Sequence, residues 1–429
     1  MWEQIRYNQN RTALLFVVMG AIWLILGFVF GLLASYFTLA ELLEGGIYGV
    51  IVAAVLWLFI FLFAYSFGDR ILLAMAGAKK ITMTDLHRIS NIVEELQIAS
   101  GLEYLPDTYV INDPALNAFA VGRNPKEASI IVTSGLLNKL NRDELQGVVG
   151  HEIAHIKNRD VLLMSLCATL VGTINIVTWF FSPRRMFSRY KDLEEEAMVF
   201  FLLVFSPVIA IGIILLILAE GYGSPMIIFL FYIPAAMLLM PFLAKLVYFG
   251  ISRKREYLAD ASSALYTRYP EGLASALEKI AGSPDQLMAA RSAIAPIFIV
   301  NPFREQGMAA SDITSTHPPV SRRIAILRAM AYASYVEYDR AYREVRGLDK
   351  SVIPPSGMSL AGTGDIRPAF DDDLDRVHRA RATSNLLWSL NNYKLITCAC
   401  GTRMRLPPSF KLTEVKCPHC GQVIPVSNL

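Results

Sequence analysis

NRDELQGVVGHEIAHIKNRD, residues 141–160, contains the pattern H-E-x-x-H at His151, Glu152 and His155. Its apolar residues recur at helical spacing, and two histidines four positions apart lie on one face of a helix. Both imidazoles can then bind one zinc ion, and a catalytic zinc keeps one position open for water. Glu152 lies beside the two ligands and can take a proton from that water. The motif therefore predicts metal-assisted peptide hydrolysis.

The composition of the 429-residue chain is typical of a membrane protein. Hydrophobic residues make up 54% of the chain and charged residues 18%, and the mean hydropathy is +0.41. A soluble globular protein usually carries more charge than this. The formal net charge of +3 is too small to indicate a nucleic-acid partner. From the composition and the motif, the expected partners are the lipid bilayer and polypeptide substrates.

Two uncharged apolar stretches, 12–37 and 46–67, are each long enough to cross a hydrocarbon core as a helix. The first is too long for the core of a signal peptide, so we interpret it as an uncleaved anchor. The short connection between them contains glutamates and no Lys or Arg, whereas basic residues flank the pair on both sides. The positive-inside rule then predicts two transmembrane helices within residues 1–78, with both flanks in the cytoplasm.

Three further apolar stretches, 161–181, 197–218 and 226–249, follow the motif. An active site assembled from both sides of this region needs an even number of crossings, so all three cannot be full spans. The loop 183–196 contains four Lys or Arg residues and favours the cytoplasm, whereas the connection 220–225 lacks Lys and Arg. These charges favour 197–218 and 226–249 as a membrane hairpin, with 161–181 embedded without crossing. The alternative is that 161–181 spans the membrane and 197–218 is re-entrant.

The remaining sequence predicts a metallopeptidase core over 79–346, interrupted by the membrane region 161–250, and then a flexible linker over 347–395. The linker is rich in Pro, Gly, Ser and charged residues, a composition that is typical of disorder. Periodicity and turn residues in the core predict helices over 81–100, 252–282 and 321–346, and short strands over 107–112, 116–121 and 129–133.

Residues 396–429 contain four of the five cysteines, Cys398, Cys400, Cys417 and Cys420, in two closely spaced pairs. Such pairs form closed tetrahedral zinc sites, and a glycine follows each pair and permits the tight turn. We expect a structural zinc in a small β-rich zinc ribbon, and reduced thiols suit a cytoplasmic location. The expected fold class is a mostly α-helical integral membrane protein with a small α+β zincin-like (gluzincin) peptidase core and this C-terminal ribbon.

A catalytic zinc needs a third protein ligand, and Glu256 is the strongest candidate. It lies in the sequence REYLAD, residues 255–260, at the start of a predicted cytoplasmic helix. Asp260 follows four residues later on the same helical face. Glu256 can bind the metal while Asp260 accepts the N–H of a ligand histidine and fixes its tautomer.

The order of these motifs resembles a known family. The chain resembles the HtpX family of integral-membrane zinc metallopeptidases, which are relatives of the CAAX prenyl endopeptidases. The resemblance lies in the order of three features: H-E-x-x-H, then membrane helices, then E-Y-x-A-D. The resemblance covers residues 1–330, so the linker and the ribbon lie outside it. The apolar region between the metal motifs is longer than is usual for the family. Three shorter elements add to the resemblance: NAFAVG at 117–122, TSGLL at 133–137, and THPP at 316–319 followed by Arg323 and Ile324.

The resemblance implies a role for each residue of the metal centre. The zinc ligands are His151, His155 and Glu256, the general base is Glu152, and Asp260 supports a ligand. Arg323 is expected to pair with Asp260 or with another acidic group near the metal.

The resemblance also implies residues that bind substrate. Asn117, Ala118 and Phe119 belong to a strand that lines the cleft, and Asn117 is expected to bind substrate backbone by strand addition. His317 is expected to act in catalysis by donating a hydrogen bond to the tetrahedral oxyanion.

The function predicted from these features is zinc-dependent endoproteolysis at the cytoplasmic face of the plasma (inner) membrane. The enzyme would be a multi-pass protein with one catalytic and one structural Zn²⁺. The resemblance suggests damaged or misfolded membrane proteins as substrates. Two alternatives stay open, a CAAX-type prenyl-protein endopeptidase and a non-catalytic zinc-binding membrane scaffold. The sequence does not identify a partner for the ribbon.

Overall fold

In the computed structural model, most of the described chain is helical, and three small sheets are present. The predicted membrane stretches 197–218 and 226–249, most of 161–181, and His317 lie outside the described residues. The structure describes residues 2–34, 39–81, 87–166, 253–285, 298–299, 318–358, 364–370, 376–410 and 413–426.

Two long apolar helices begin the chain, α1 (Trp2–Ala34) and α2 (Leu39–Met75). Each contains a segment that is long and apolar enough to cross a membrane. The helices pack closely where glycines face each other, since a Cβ on Gly31 would lie 2.0 Å from the carbonyl oxygen of Gly45. Small residues of this kind let membrane helices approach each other. The two helices lie over the predicted N-terminal spans, and that they cross a bilayer stays a prediction.

A four-stranded sheet with the order β1-β2-β4-β3 forms the β part of the core. The strands β2 and β4 are parallel, and the edge strand β3 pairs antiparallel with β4. All residues of β3 and β4 are buried. The three strands expected from alternation and turn residues are therefore present. Their bounds are β1 (Lys79–Lys80), β2 (Asp107–Ile111), β3 (Ala118–Val121) and β4 (Ser129–Thr133).

The helices of the core differ from prediction where the chain turns. The predicted helix over 252–282 is broken at Arg268, which has a φ of 52°, and Pro270 begins the next helix because proline fits the first helical turn. The predicted helix over 321–346 is broken ahead of Ser334, whose side chain caps a new helix. The helices of the core are α3 (His87–Ser100), α4 (Ser134–Lys139), α5 (Arg142–Lys157), α6 (Arg253–Thr267), α7 (Pro270–Gly282), α8 (Val320–Arg328) and α9 (Tyr335–Arg346).

Helix α5 carries the H-E-x-x-H motif and is fixed at its start and along its side. Asn141 and Glu144 form a capping box, in which each side chain accepts the other residue's backbone N–H at 2.8 Å. A Cβ on Gly147 would lie 2.6 Å from the backbone nitrogen of Leu273 in α7, so only glycine allows this approach. The Ser263 hydroxyl of α6 donates to the Gly147 carbonyl at 2.7 Å. These contacts hold α6 beside the metal motif, although the long region 167–252 separates the two in sequence.

The end of α2 packs into the core next to the edge strand. Leu72 and Ala76 form one buried cluster with Ile111, Phe119 and Phe298. Burial of these apolar side chains links the end of α2 to the sheet. The apolar N-terminal region is therefore continuous with the part of the core that carries β3.

The region 347–395, which the sequence predicts as a flexible linker, contains ordered structure. The helices α10 (Pro355–Met358) and α11 (Arg376–Leu390) lie within it, and α11 packs against α4. The Arg367 guanidinium donates to the Asp143 carboxylate at 2.6 Å and lies 4.1 Å from the ring centroid of Phe370. Polar composition alone did not reveal this order, because the packing of α11 on α4 and the pairing of Arg367 with Asp143 both depend on a distant part of the core.

The C-terminal cysteines lie in two antiparallel hairpins, and each hairpin carries one cysteine pair between its strands. The first pairs β5 (Lys394–Thr397) with β6 (Arg403–Leu406), and the second pairs β7 (Glu414–Lys416) with β8 (Val423–Pro425). Two hairpins of this kind suit a zinc ribbon, and the zinc itself stays a prediction.

Candidate metal centre

The two histidines of α5 and Glu256 of α6 converge on one buried point. The Nε2 atoms of His151 and His155 lie 3.2 Å apart. Glu256 places Oε2 3.8 Å from Nε2 of His151 and Oε1 3.6 Å from Nε2 of His155. All three side chains are at most 2% exposed. Two nitrogens and a carboxylate oxygen at this spacing form a donor set that can hold one metal ion.

The first ligand histidine is oriented by a buried ion pair. His151 Nδ1 lies 3.0 Å from Oδ1 of Asp260, and Arg323 contacts both oxygens of Asp260, at 2.8 and 2.6 Å. This contact leaves Nε2 of His151 facing the ligand cluster. Arg323 also donates to the carbonyl oxygen of Ile299 at 3.0 Å. The structure thus brings Arg323 onto Asp260, one of the pairings that the sequence suggested.

The ionisation of this pair favours metal binding. Burial lowers the pKa of His151 to about 4, so the imidazole stays neutral with a lone pair available. Burial alone would raise the pKa of Asp260, but the neighbouring charge of Arg323 and the contact with His151 hold it below its ordinary value. Asp260 is therefore a carboxylate that accepts the proton of His151 Nδ1.

The second ligand histidine has a carboxylate of its own, Asp160, which sequence reasoning missed. His155 Nδ1 lies 3.0 Å from Oδ2 of Asp160, and the other Asp160 oxygen lies 3.8 Å from Nη1 of Arg255. Asp160 and Arg255 are each 1% exposed. Arg159, two residues after the end of α5, has a φ of 60°, and this left-handed turn directs Asp160 back towards His155. The available signal in the sequence was an aspartate at the end of the stretch that carries the H-E-x-x-H motif.

The two histidines therefore have parallel support. In each case a carboxylate contacts Nδ1, and a buried arginine lies beside that carboxylate: Asp260 with Arg323 for His151, and Asp160 with Arg255 for His155. Such contacts fix the tautomer and the ring orientation of a ligand histidine. The pocket is thus organised for a metal before one binds.

Glu152 lies between the two histidines on α5 and is 1% exposed. Burial, with a smaller contribution from the nearby charge of Glu256, raises the pKa of Glu152 to about 7. A carboxyl with a pKa near neutrality can both accept and donate a proton at physiological pH. This property suits the role of general base and acid.

The strand expected to bind substrate is partly occupied by other groups of the chain. Asn117, Ala118 and Phe119 are each at most 3% exposed. The Asn117 side chain accepts the backbone N–H of Ala118 at 3.0 Å, and the Ala118 carbonyl accepts the N–H of Ile299 at 3.0 Å. Phe298 packs edge-on against Phe119 at 4.8 Å. A peptide that adds to β3 at Ala118 would have to displace Ile299.

A second group of side chains, the four C-terminal cysteines, also has the geometry of a metal site. Its four sulfur atoms lie within 4.8 Å of one another. Sγ of Cys398 lies 3.5 Å from Sγ of Cys420, and Sγ of Cys400 lies 3.7 Å from Sγ of Cys417. Gly401 and Gly421 adopt positive φ values of 86° and 76° directly after the two pairs. Glycine tolerates this conformation, so each chain can turn tightly around the cluster.

The sequence is similar to a known protein family and to several known proteins. The family model described as Peptidase family M48 matches residues 84–331. A "Protease HtpX homolog" from Dictyoglomus turgidum is 38% identical over 335 residues, which cover 77% of this chain and 94% of the relative. Another from Caldanaerobacter subterraneus is 36% identical, covering 77% and 98%. A third, from Pyrococcus abyssi, is 37% identical over 312 residues, covering 72% and 96%.

Proposed function

Because this chain belongs to peptidase family M48 and is HtpX-like, we propose that it is a membrane-associated zinc endopeptidase with its active centre at His151, His155 and Glu256. The observation that carries the proposal is the convergence of these three side chains from helices that are far apart in sequence. Glu152, next to His151 on α5, is also buried, and it is close enough to His155 and Glu256 for their charges to act on it. Polypeptides are the substrates of a protease, and peptide-bond hydrolysis is the reaction.

The residues present fit a catalytic zinc ion. Two imidazole nitrogens and one carboxylate oxygen are the ligands typical of a gluzincin site, and each imidazole has a carboxylate on Nδ1. When bound, zinc polarises the scissile carbonyl and lowers the pKa of water. His151, His155 and Glu256 would hold the ion.

The chain itself moves the proton. Glu152 takes a proton from the attacking water and passes it to the leaving amine, which its raised pKa allows near neutral pH. Asp260 and Asp160 keep the two imidazoles oriented throughout. His317, in the T-H-P-P motif, is proposed to donate to the oxyanion, and Asn117 to bind substrate backbone.

We propose that the substrates are damaged or misfolded membrane proteins, cleaved at the cytoplasmic face of the inner membrane. The support is the packing of Leu72 and Ala76, at the end of apolar helix α2, against Phe119 of β3. That packing would present the cleft to chains that emerge from the bilayer. The basic flanks of the predicted spans favour the cytoplasmic side.

Quantitative proteomics of membranes tests this substrate class. Cells that carry the Glu152→Gln variant are expected to accumulate membrane proteins that cells with the wild type degrade. Purified wild type should also cleave unmodified unfolded chains. Release of a tripeptide from prenylated peptides alone would favour the prenyl-processing alternative, and identical membrane proteomes would argue against quality control.

We also propose that Cys398, Cys400, Cys417 and Cys420 hold a second, structural zinc. The support is the mutual approach of the four sulfur atoms and the two glycine turns beside them. Four thiolates leave no open position for substrate. The ion would tie together two hairpins that are too small to have a substantial core of their own.

Asp160→Asn tests the role of the second histidine support. The amide keeps the size of the side chain but no longer fixes the proton on His155 Nδ1, so zinc affinity is expected to fall about 10- to 100-fold. Zinc affinity is measured by competition with a chelator of known strength. Asp285→Asn, at an exposed aspartate that pairs with Lys139, is the control and should leave the affinity unchanged. Equal affinities for wild type and Asp160→Asn would show that His155 does not depend on this contact.

A further inference from the structure

The C-terminal module, which we define as residues 376–426, is strongly basic although the whole chain is nearly neutral. It contains eight Lys or Arg residues and one Glu, a net charge of +7, whereas the complete chain has a net charge of +3. A zinc ion on four thiolates would lower the charge of the module by two units and leave it clearly positive. The module lies beyond the family match, which ends at residue 331. A concentration of charge of this kind indicates an anionic partner.

The charge is combined with apolar side chains on one face of the first hairpin. Cross-strand pairs in an antiparallel hairpin share a face, and Leu395 pairs with Arg405. Arg403, two residues from Arg405, lies on that same face. Arg405 lies 5.4 Å from the ring centroid of Trp388 in α11. All four side chains are exposed, Leu395 by 44% and Trp388 by 38%. We call Trp388, Leu395, Arg403 and Arg405 the basic–aromatic face.

This face lies close to the end of apolar helix α2. Lys79, four residues after the last residue of α2, donates to the Asn391 side chain at 2.6 Å. Asn391 directly follows α11 and lies three residues from Trp388. The charged residue Asp69 marks the end of the uncharged stretch, and Met75 lies about 9 Å further along the helix. Because anionic headgroups attract cations over a Debye length of about 8–10 Å, cations beside the end of α2 lie within their reach.

We propose that the basic–aromatic face of the C-terminal module binds the anionic headgroups of membrane phospholipids. Arginines bind the phosphate groups, and Trp388 and Leu395 enter the boundary between headgroups and acyl chains, where tryptophan is enriched. The contact would hold the module, and through Lys79 and α11 the core, at the bilayer surface. A nucleic acid would match the charge, but it would not explain why the face lies beside a membrane helix. The proposal rests on the membrane association proposed above.

The test uses the full-length protein in nanodiscs of phosphatidylcholine alone and of phosphatidylcholine with phosphatidylglycerol in a two-to-one ratio. Amide hydrogen exchange in peptides covering 385–406 is expected to slow several-fold only in the anionic discs, and high salt should remove the effect. Since each surface cation contributes about a factor of five, Arg403→Gln/Arg405→Gln should weaken the contact roughly 25-fold and abolish the protection.

Arg328→Gln/Arg340→Gln is the matched control, because it removes two exposed arginines from the core and leaves the module intact. Equal exchange in both kinds of disc would overturn the lipid proposal, and peptidase activity in the same discs would show whether the proposed function still stands. Protection in neutral discs on addition of a short single-stranded oligonucleotide alone would assign the face to nucleic acid instead. Failure of the wild type to enter discs of either composition would overturn both the membrane association and the lipid contact.

Discussion

Replacement of Glu152 by glutamine is expected to reduce kcat about 10²- to 10⁴-fold, the usual contribution of a general acid–base group. The amide has nearly the shape of the carboxyl but cannot accept a proton from water. The three proposed metal ligands stay unchanged, so zinc content should equal that of the wild type. The measurement is turnover of a quenched fluorescent unfolded protein by purified enzyme, with zinc determined on the same samples.

The same variant should be at least as stable as the wild type. Burial raises the pKa of Glu152 to about 7, so in the folded zinc-free protein the charged carboxylate is disfavoured relative to the unfolded chain. A neutral amide avoids this cost at and above neutral pH. Loss of activity with an unchanged or higher melting temperature separates a catalytic role from a folding defect.

Glu278→Gln, at a glutamate that pairs with Arg328 on the surface, provides the matched control. It should keep both full activity and full zinc content. If Glu152→Gln retained the turnover of the wild type, another group would have to accept the proton, and the assignment of Glu152 would be wrong.

The part of the site that is visible in the sequence is the part determined by helical spacing. His151 and His155 share a face because they are four residues apart, and Glu256 and Asp260 share a face for the same reason. Their meeting in space required a family pattern as well, since periodicity cannot say which helices pack together. The contact between α5 and α6 provides the physical reason, because the Ser263 hydroxyl of α6 donates to the Gly147 carbonyl at 2.7 Å and a Cβ on Gly150 would lie only 3.0 Å from that hydroxyl.

The contacts that sequence reasoning missed all depend on the path of the chain. Asp160 reaches His155 because Arg159 adopts a positive φ, which is uncommon for a residue other than glycine. Ile299 reaches the edge strand from a segment distant in sequence, and Arg367 reaches Asp143 from a region with a disordered composition. Local patterns carry no information about the two long-range contacts, so the roles of Ile299 and Arg367 were found only in the structure.

The break between α6 and α7 was also missed in the sequence, although its signal is local. Tyr269 and Pro270 are a local stop signal, but they lie inside a periodic stretch that predicts one continuous helix. The error does not reach the metal centre, since Glu256 and Asp260 both lie in α6, ahead of the break.

Replacement of Glu256 by glutamine is expected to remove zinc and activity together. Glu256 is the only carboxylate in the proposed ligand set, and its Oε2 lies 3.7 Å from Nη1 of Arg323. The amide would leave the buried arginine with less opposing charge and would bind a divalent cation weakly. Loss of a partner of a ligand already lowers metal affinity about 10- to 100-fold, so loss of the ligand carboxylate itself is expected to lower zinc affinity by about 100-fold or more.

The comparison with Glu152→Gln makes this result specific. Both variants exchange a buried carboxylate for an amide in the same pocket, but only Glu256→Gln should lose zinc on dialysis against a mild chelator. Excess zinc should restore part of the activity of Glu256→Gln and none of the activity of Glu152→Gln, because added metal replaces a weakened ligand but not a missing base. Retention of zinc by Glu256→Gln would place the third ligand elsewhere and would remove the link between α5 and α6 on which the proposed active centre depends.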